Sequence, residues 1–343
     1  MADQTPQDLV EDFRAELRRL TSEHPTSIGV AVSGGGDSMA LLDLTLETTL
    51  FDRVTVATVD HGLRREARDE AEMVSRYCAS RGIEHDVLRL PSMPEQGNLS
   101  ANLRVARYSA LVTWAKELGL RSILVGHTMD DQAETLLMRL ARGSGVEGLS
   151  AMAPARDVNG ISFLRPMLGL RRADLRSWLT VKGVRWADDP TNDDDSYDRI
   201  KARQALELLT PLGIDVPGLA ETAHRLKRQE QVLLDAARAF RDLALQEDDE
   251  KITIDRNHLR NTVPDTGMRV LADALRRIGG QAYRPRFRSL LPLYEKAVGF
   301  DVTSATLAGC LIGLNEHHLT VIPERKPRGR GPAPVLDDNV AES

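Results

Sequence analysis

The chain has 343 residues, 41% hydrophobic and 28% charged, with a net charge of -6; this is the composition of a soluble protein large enough for two domains. No apolar run is long enough to span a bilayer, and the start is polar and acidic rather than leader-like, so a cytoplasmic protein with no membrane partner is expected. Cys78 and Cys310 stand alone and far apart, which excludes a disulfide framework and a cysteine-rich zinc or iron–sulfur site.

Leu9 to Leu20 has helical spacing, and the apolar run Ile28–Val32 reads as a buried strand. It leads into Ser33-Gly34-Gly35-Gly36-Asp37-Ser38, with a helix expected from Ser38 to about Leu46. A glycine-rich turn between a buried strand and a helix is a place to hold phosphate. Glycine lets the backbone approach closely, and the amides of the turn and of the helix start point at the anion. No Gly-Lys-Ser/Thr closes the turn and Gly-x-Gly-x-x-Gly is absent, so neither the P-loop nor the dinucleotide fingerprint fits. The Ser-Gly-Gly-x-Asp-Ser that remains resembles the pyrophosphate loop of enzymes that split ATP into AMP and pyrophosphate.

Strand Val54–Val59 runs into Asp60-His61-Gly62-Leu63-Arg64, a charged helix follows near Glu66–Ser80, and Glu84–Leu90 is a third strand. After a Pro- and Gly-containing loop over Pro91–Gly97, Asn98 or Ser100 is placed to cap a helix running to about Leu118, on which Arg104, Arg107 and Tyr108 share one face. Strand Ser122–Val125 leads into Gly126-His127-Thr128-Met129-Asp130-Asp131-Gln132-Ala133-Glu134-Thr135, and the helix from Asp130 to Arg142 starts with its acids where the helix dipole favours them. Three strands thus deliver polar motifs at their C-terminal ends, the ligand-binding edge of an open parallel sheet. Strands alternating with helices predict an α/β, doubly wound parallel sheet.

Gly143 to Asn159 reads as a mobile glycine-rich loop, and Arg171–Thr180 and Tyr197–Leu209 as helices. Pro211, Gly213, Pro217 and Gly218 suggest a domain boundary, giving an N-terminal domain over 1–212 and a mainly helical domain over 213–325. In the latter, a long helix is expected from Leu219 to about Leu245, short strands near Lys251–Ile254 and Leu311–Ile322, and helices between Val263 and Val298. The Pro-, Gly- and charge-rich 326–343 tail is expected to be disordered. Acidic runs such as Asp193-Asp194-Asp195 stand apart from basic ones such as Arg171-Arg172 and Arg276-Arg277. Each reads first as a solvated helix face, and Trp186 as core, although local fields rather than net charge steer RNA.

The combination of SGGGDS at 33, VDHGLR at 59, the Asn98…Arg104…Arg107-Tyr108 stretch, GHTMDDQAET at 126, Gly143-Ser144-Gly145, Arg165-Pro166-Met167-Leu168 and Trp186-Ala187-Asp188-Asp189-Pro190-Thr191-Asn192 resembles the tRNA(Ile)-lysidine synthetase family over roughly the first two-thirds of the chain. The resemblance implies a Rossmann-like N-terminal domain of the adenine nucleotide alpha hydrolase type. It also implies ATP and Mg²⁺ as cofactors, L-lysine and the isoleucine tRNA with anticodon CAU as partners, and 213–325 as the candidate tRNA-binding domain. The implied reaction adenylates the wobble cytidine and replaces its C2 oxygen by the lysine amine. Longer family members carry a further C-terminal domain, of which this chain is too short for a full copy.

The ATP-binding set so implied is Ser33, Gly34, Gly35, Gly36, Asp37, Ser38, Asp60 and His61, with Asp37, Arg107, Asp131 and Glu134 as the catalytic set. Asp37 and either Asp130 or Asp131 are the Mg²⁺ candidates. His127, Asp130, Arg104, Arg199 and Arg203 are assigned to lysine or tRNA, and Glu134 or Asp131 would bind the ammonium or take its proton. The family's usual Glu is Ser100 here, and its usual Arg-Asn-x-Ile/Val-Arg is Arg199-Ile200-Lys201-Ala202-Arg203. Another ATP pyrophosphatase, such as a tRNA thiolase or an amidating synthetase, is the second reading, and a non-catalytic nucleotide- or RNA-binding relative is the third. A symmetric homodimer is the default expectation for the assembly.

Overall fold

The structure, a computed structural model, describes residues 5–21, 26–62, 66–90, 99–187, 196–248, 250–281, 283–300 and 302–324. Leu63 and Arg64, the 91–98 segment with its loop and Asn98, the 188–195 segment with its acidic run, and the 326–343 tail lie outside the described residues. Chain packing divides the protein into Met1–Leu226 and Lys227–Ser343.

In the first unit, α1 (Pro6–Leu20) begins at a capping box between Thr5 and Asp8 and buries Leu9, Phe13 and Leu17, spaced four apart on one face. Strand β1 (Ser27–Ala31), with Ile28 and Val30 fully buried, leads to α2 (Gly36–Thr48). Then come β2 (Arg53–Asp60), α3 (Glu66–Ser80), β3 (Glu84–Arg89), α4 (Leu99–Glu117), β4 (Ser122–Leu124), α5 (Met129–Ala141) and α6 (Val146–Leu149). β5 (Ala155–Val158), β6 (Ile161–Leu164), α7 (Arg172–Lys182) and α8 (Ser196–Leu209) complete it. The six strands form one sheet in the order β3-β2-β1-β4-β6-β5, parallel except for the antiparallel edge strand β5.

Residues 143–159 differ from the expected mobile loop. Arg139 donates to the carbonyls of Gly148 (2.8 Å) and Ser150 (2.9 Å), holding the single turn of α6. Asn159 and Gly160, both at positive φ (52° and 84°), make the tight turn of the β5–β6 hairpin. Asn-Gly between short apolar runs is a strong hairpin signal, and it lies in the sequence itself.

The long helix α9 (Val216–Ala244) contains the division at Leu226. Pro217 and Gly218 sit in its first turn, where proline's missing N–H costs nothing, so this Pro/Gly cluster marks a helix start rather than a linker. Beyond it, the second unit holds β7 (Leu245–Asp248), β8 (Lys251–Asp255), α10 (Arg256–Asn261), α11 (Pro264–Ile278), α12 (Phe287–Val298), β9 (Ser304–Leu307), β10 (Cys310–Leu314) and β11 (His318–Pro323). Helices take the larger share, as expected, and pack on an antiparallel sheet of order β7-β8-β11-β10-β9. Its core includes Ile252, Ile254, Leu271, Leu275, Ile312, Leu319 and Val321.

Arg256 is wholly buried in that unit. It donates to the carbonyls of Ala297 (2.8 Å), Lys296 (3.0 Å) and Gly299 (2.6 Å), and to that of Asn315. A cation at the C-terminal end of α12 satisfies carbonyls that no helical N–H can reach. Arg256→Met leaves those carbonyls buried and unpaired, each at about 1–3 kcal/mol. The variant is therefore expected to lower the urea midpoint of the second unit strongly, read by native-state hydrogen exchange at α12.

Candidate active site

The phosphate-type loop is built by close approaches that side chains would prevent. Gly34 adopts φ +96°, and a Cβ there would meet the Cβ of Glu70 at 3.1 Å. A Cβ on Gly126 would lie 3.2 Å from the Cα of Ser38, so the chain leaving β4 runs directly against the loop. The Ser38 hydroxyl donates to the Gly35 carbonyl (2.9 Å) and accepts from the Ser33 N–H (3.1 Å), closing the turn on itself. The Ala187 N–H donates to the Gly34 carbonyl (2.9 Å), and Trp186, half-buried against the main core, packs beside Gly36. Gly35, the N-cap of α2, supplies no side-chain acceptor, so the first amides of α2 face the cavity side of the loop without one.

A cavity of about 370 Å³ opens in front of this loop. Ser33, Gly35, Gly36, Asp37, Ser38, His61, Arg107, His127, Asp131, Arg199 and Arg203 line it. Gly34, Asp60, Arg104, Asp130 and Glu134 of the expected set stand behind the wall. Asp60, at the end of β2, accepts from the Gly62 N–H (2.8 Å) and shapes the turn after the strand. Asp130 accepts from the backbone N–H of Arg172 (2.8 Å), fixing the start of α7, and lies 3.6 Å from Arg171. Ser100's side chain lies outside the described residues; Ile200 is exposed on α8 between Arg199 and Arg203.

Arg172 ties the acids together. Its guanidinium donates to Asp37 (2.9 Å), Glu134 (2.8 Å) and Asp131 (3.1 Å), and Arg203 donates to the same Glu134 oxygen (2.7 Å). The sequence reading missed this residue because the Arg171-Arg172 pair looked like a solvated charge run. The signal was its position: a cation at a helix N-terminus opposes the dipole and calls for a local reason. Asp131 also accepts from the N–H (2.7 Å) and hydroxyl (2.8 Å) of Thr128, the N-cap of α5. The N-termini of α2, α5 and α7 therefore meet at one cluster.

The cluster splits the carboxylates electrostatically. Burial pushes the Asp37 carboxyl up to about 6, Arg172 and Arg176 pulling it down and Asp131 pushing it further up. Burial acts the same way on Asp131, yet Arg172, Arg199, His127 and the Thr128 N–H together hold it below the usual carboxylate range. Three acids against one shared guanidinium make the least hydrogen-bonded of them yield. His127 is partly buried in the cavity wall; burial and then Arg165 keep its imidazole neutral, with Asp131 opposing and Arg199 and Arg104 assisting. Its Nδ1 and the Glu134 Oε2 are buried without a hydrogen-bond partner among the described residues.

Arg104, Arg107 and Arg156 lie 5.4, 5.7 and 5.8 Å from the Tyr108 ring centre. Burial alone would raise the Tyr108 phenol; Arg104, Arg107, Arg165 and Arg156 bring it down to about 8. The cavity wall thus carries both signs: Asp37 and Asp131 with Arg172 and Arg176, and Arg107, Arg199 and Arg203 from α4 and α8, Arg203 reaching the acid cluster itself through Glu134.

Among the described residues, no group of three or more His, Cys, Asp or Glu is placed to hold a metal ion. Asp37 and Asp131, near enough to repel each other, are a pair of carboxylates of the kind Mg²⁺ takes together with phosphates and water. Cys78 and Cys310 are free, buried and in different units, which does not suit a cysteine-held cluster. No helix among the described residues is long and apolar enough to cross a membrane.

Residues 9–209 match the family model of the PP-loop domain. The chain is 42% identical over 311 residues to a tRNA(Ile)-lysidine synthase of Ruegeria pomeroyi, across 89% of this chain and 72% of that protein. It is 37% identical to that of Hyphomonas neptunium (91% and 85% covered) and 36% identical to that of Bradyrhizobium diazoefficiens (92% and 95%). Among solved structures it is similar to a U34-tRNA thiolase from Methanococcus maripaludis, with TM-score 0.54 over 67% of this chain and 84% of that one. At 15% identity that likeness concerns the fold alone.

With its folded value raised, protonated Asp37 contributes stability that is full below the ordinary carboxylate value and is lost as pH rises through about 6. Asp37→Asn cannot ionise. The melting temperature of Asp37→Asn minus that of the wild type is expected to rise as pH is taken from about 5 to about 7.5. Thermal melts across that range check it; a flat difference would contradict the buried-acid assignment.

Proposed function

The chain belongs to the tRNA(Ile)-lysidine synthase family of PP-loop proteins, and from that premise we propose that it ligates L-lysine onto C2 of the wobble cytidine of the isoleucine tRNA with anticodon CAU, using ATP. The single observation that carries this reading is one cavity whose wall brings a phosphate-type loop, carboxylates and arginines together. ATP, an RNA strand and a lysine ammonium need both signs of charge within one cavity.

The C2 oxygen of cytosine is a poor leaving group. In the proposed first step it attacks the α-phosphate of ATP; the O2–P bond forms, the bond to the bridging oxygen breaks, and pyrophosphate leaves. In the second, the lysine amine attacks C2 and the C2–O bond breaks, expelling AMP. One hard substitution becomes two easier ones. The loop Ser33–Ser38 and the start of α2 would hold the departing phosphates. Asp37 and Asp131 would hold Mg²⁺, which supplies charge neutralisation to the phosphates. Arg107 would contact the base or its developing charge, and Arg104, Arg199 and Arg203 the RNA, with Arg156 and Arg165 extending that basic wall.

The lysine amine is protonated in water, with a pKa of about 10.4, and must lose that proton to attack. Asp131, on the cavity wall, and Glu134, with its unpartnered oxygen, would supply the charge that draws the ammonium and accepts the proton. Neutral His127 would contact substrate as a hydrogen-bonding group without adding charge.

The test is mass spectrometry of nucleosides from the tRNA transcript incubated with protein, ATP, Mg²⁺ and lysine. A cytidine heavier by one lysine residue, with every component required, is expected; unmodified cytidine under all conditions overturns the reading. Glu134→Gln is expected to raise the KM for lysine roughly tenfold to a hundredfold, the worth of a charge-assisted hydrogen bond, while ATP-dependent pyrophosphate release persists. Loss of pyrophosphate release with an unchanged lysine KM would move Glu134 to the ATP side.

A further inference from the structure

Helices α2 and α7 run side by side in the same direction, and three polar contacts join them at one constant offset. Asp37 meets Arg172 (2.9 Å), Asp43 accepts from the Trp178 indole N–H (2.8 Å), and Glu47 accepts from Lys182 (2.7 Å); each pair is 135 residues apart. A constant offset means that the two chains advance in step. The first rung belongs to the candidate active site, and the other two lie behind it, along the helices.

The middle rung is built like a fixed point. Asp43 is a fully buried carboxylate. One oxygen accepts from the Trp178 indole; the other accepts from the Tyr77 hydroxyl of α3 and lies 3.5 Å from Arg81. Trp178 is itself buried, and the Lys182 ammonium lies 4.7 Å from its ring centre, linking the second rung to the third. Packed Leu and Val side chains alone would tolerate a small slide of one helix along the other. A buried, hydrogen-bonded polar pair does not, because any slide leaves a carboxylate and an indole N–H unpaired.

We propose that Asp43, Trp178, Glu47 and Lys182 form a register device whose function is to set the guanidinium of Arg172 against Asp37 at the mouth of the phosphate-type loop. They are positioning residues, acting through Arg172. Six residues, roughly 9 Å of helix rise, separate the middle rung from the first. A slip of α7 by one residue would move Arg172 by roughly 1.5 Å and turn it by about 100°, taking its fork away from three carboxylates at once.

The readout is a double-mutant cycle on the urea midpoint at one pH, with no substrate present. Trp178→Phe keeps an aromatic ring and deletes the N–H; Arg172→Lys keeps a charge and deletes the fork that the rungs place against Asp37. The two side chains share no hydrogen-bond partner, so residues that merely support the core independently would give additive losses. Trp178→Phe is expected to shift the midpoint in the Arg172→Lys background by at most about half of its shift in the wild type, since the group it positions is gone. Additive losses overturn the proposal. Should Trp178→Phe not fold, Lys182→Met on the half-exposed third rung is expected to couple to Arg172→Lys in the same direction by less, and additivity there overturns it equally. The proposal takes Arg172 and Asp37 as part of the site described above, but the cycle needs no substrate. Coupling with no lysidine formed would remove the ligase reading and keep the register device; lysidine formed at wild-type rate with additive losses would do the reverse.

Discussion

Arg172 carries one positive charge and faces three carboxylates, Asp37, Asp131 and Glu134, each held at hydrogen-bond distance. The paired strands β1 and β4 bring the starts of α2 and α5 together, and without Arg172 the acids there would face each other with no cation between them. The phosphate-type loop, the buried Asp131 and the wall of the cavity all depend on that one side chain being where it is. Its position is in turn fixed twice, by Asp130 at its own backbone N–H and by the rungs further along α7.

The same arithmetic explains why the acids differ. Asp131 has Thr128, Arg199 and Arg172 around it and remains ionised; Glu134 shares its oxygen between Arg172 and Arg203. Asp37 accepts from Arg172, and burial pushes its carboxyl up to about 6. Three helix N-termini add their favourable field for anions at this place, which suits bound phosphates and makes a cation there the exception that has to be held. Arg107 of α4 and Arg199 and Arg203 of α8, which share the cavity wall, give it its second sign. A pocket with two signs suits a reaction in which an RNA, a nucleotide and an ammonium must meet.

Arg256 in the second unit plays a role of the same kind without any chemistry. It is a wholly buried cation whose partners are carbonyl oxygens, at the end of α12 where a helix leaves its last carbonyls unpaired. Arg256 thus answers backbone carbonyls at a helix C-terminus, whereas Arg172 answers side-chain carboxylates against the field of three helix N-termini.

Much of the site was readable in the sequence because its parts are local. A strand, a glycine turn and a helix start lie within a dozen residues, and Thr128 with Asp131 forms a capping box four residues long. The ligand edge of the sheet followed from the alternation of strands and helices, and the shared face of Arg104, Arg107 and Tyr108 from helical spacing. The β5–β6 hairpin was legible too, through Asn159-Gly160, and went unread. What the sequence could not determine was which charges face each other across the site. Arg172 and Asp37 are 135 residues apart, and nothing in either local pattern distinguishes Arg172 from its neighbour Arg171. Local chemistry depends on a few adjacent residues and is written in their order. The pairing of buried charges depends on how two helices lie against each other, and only the packed core decides that.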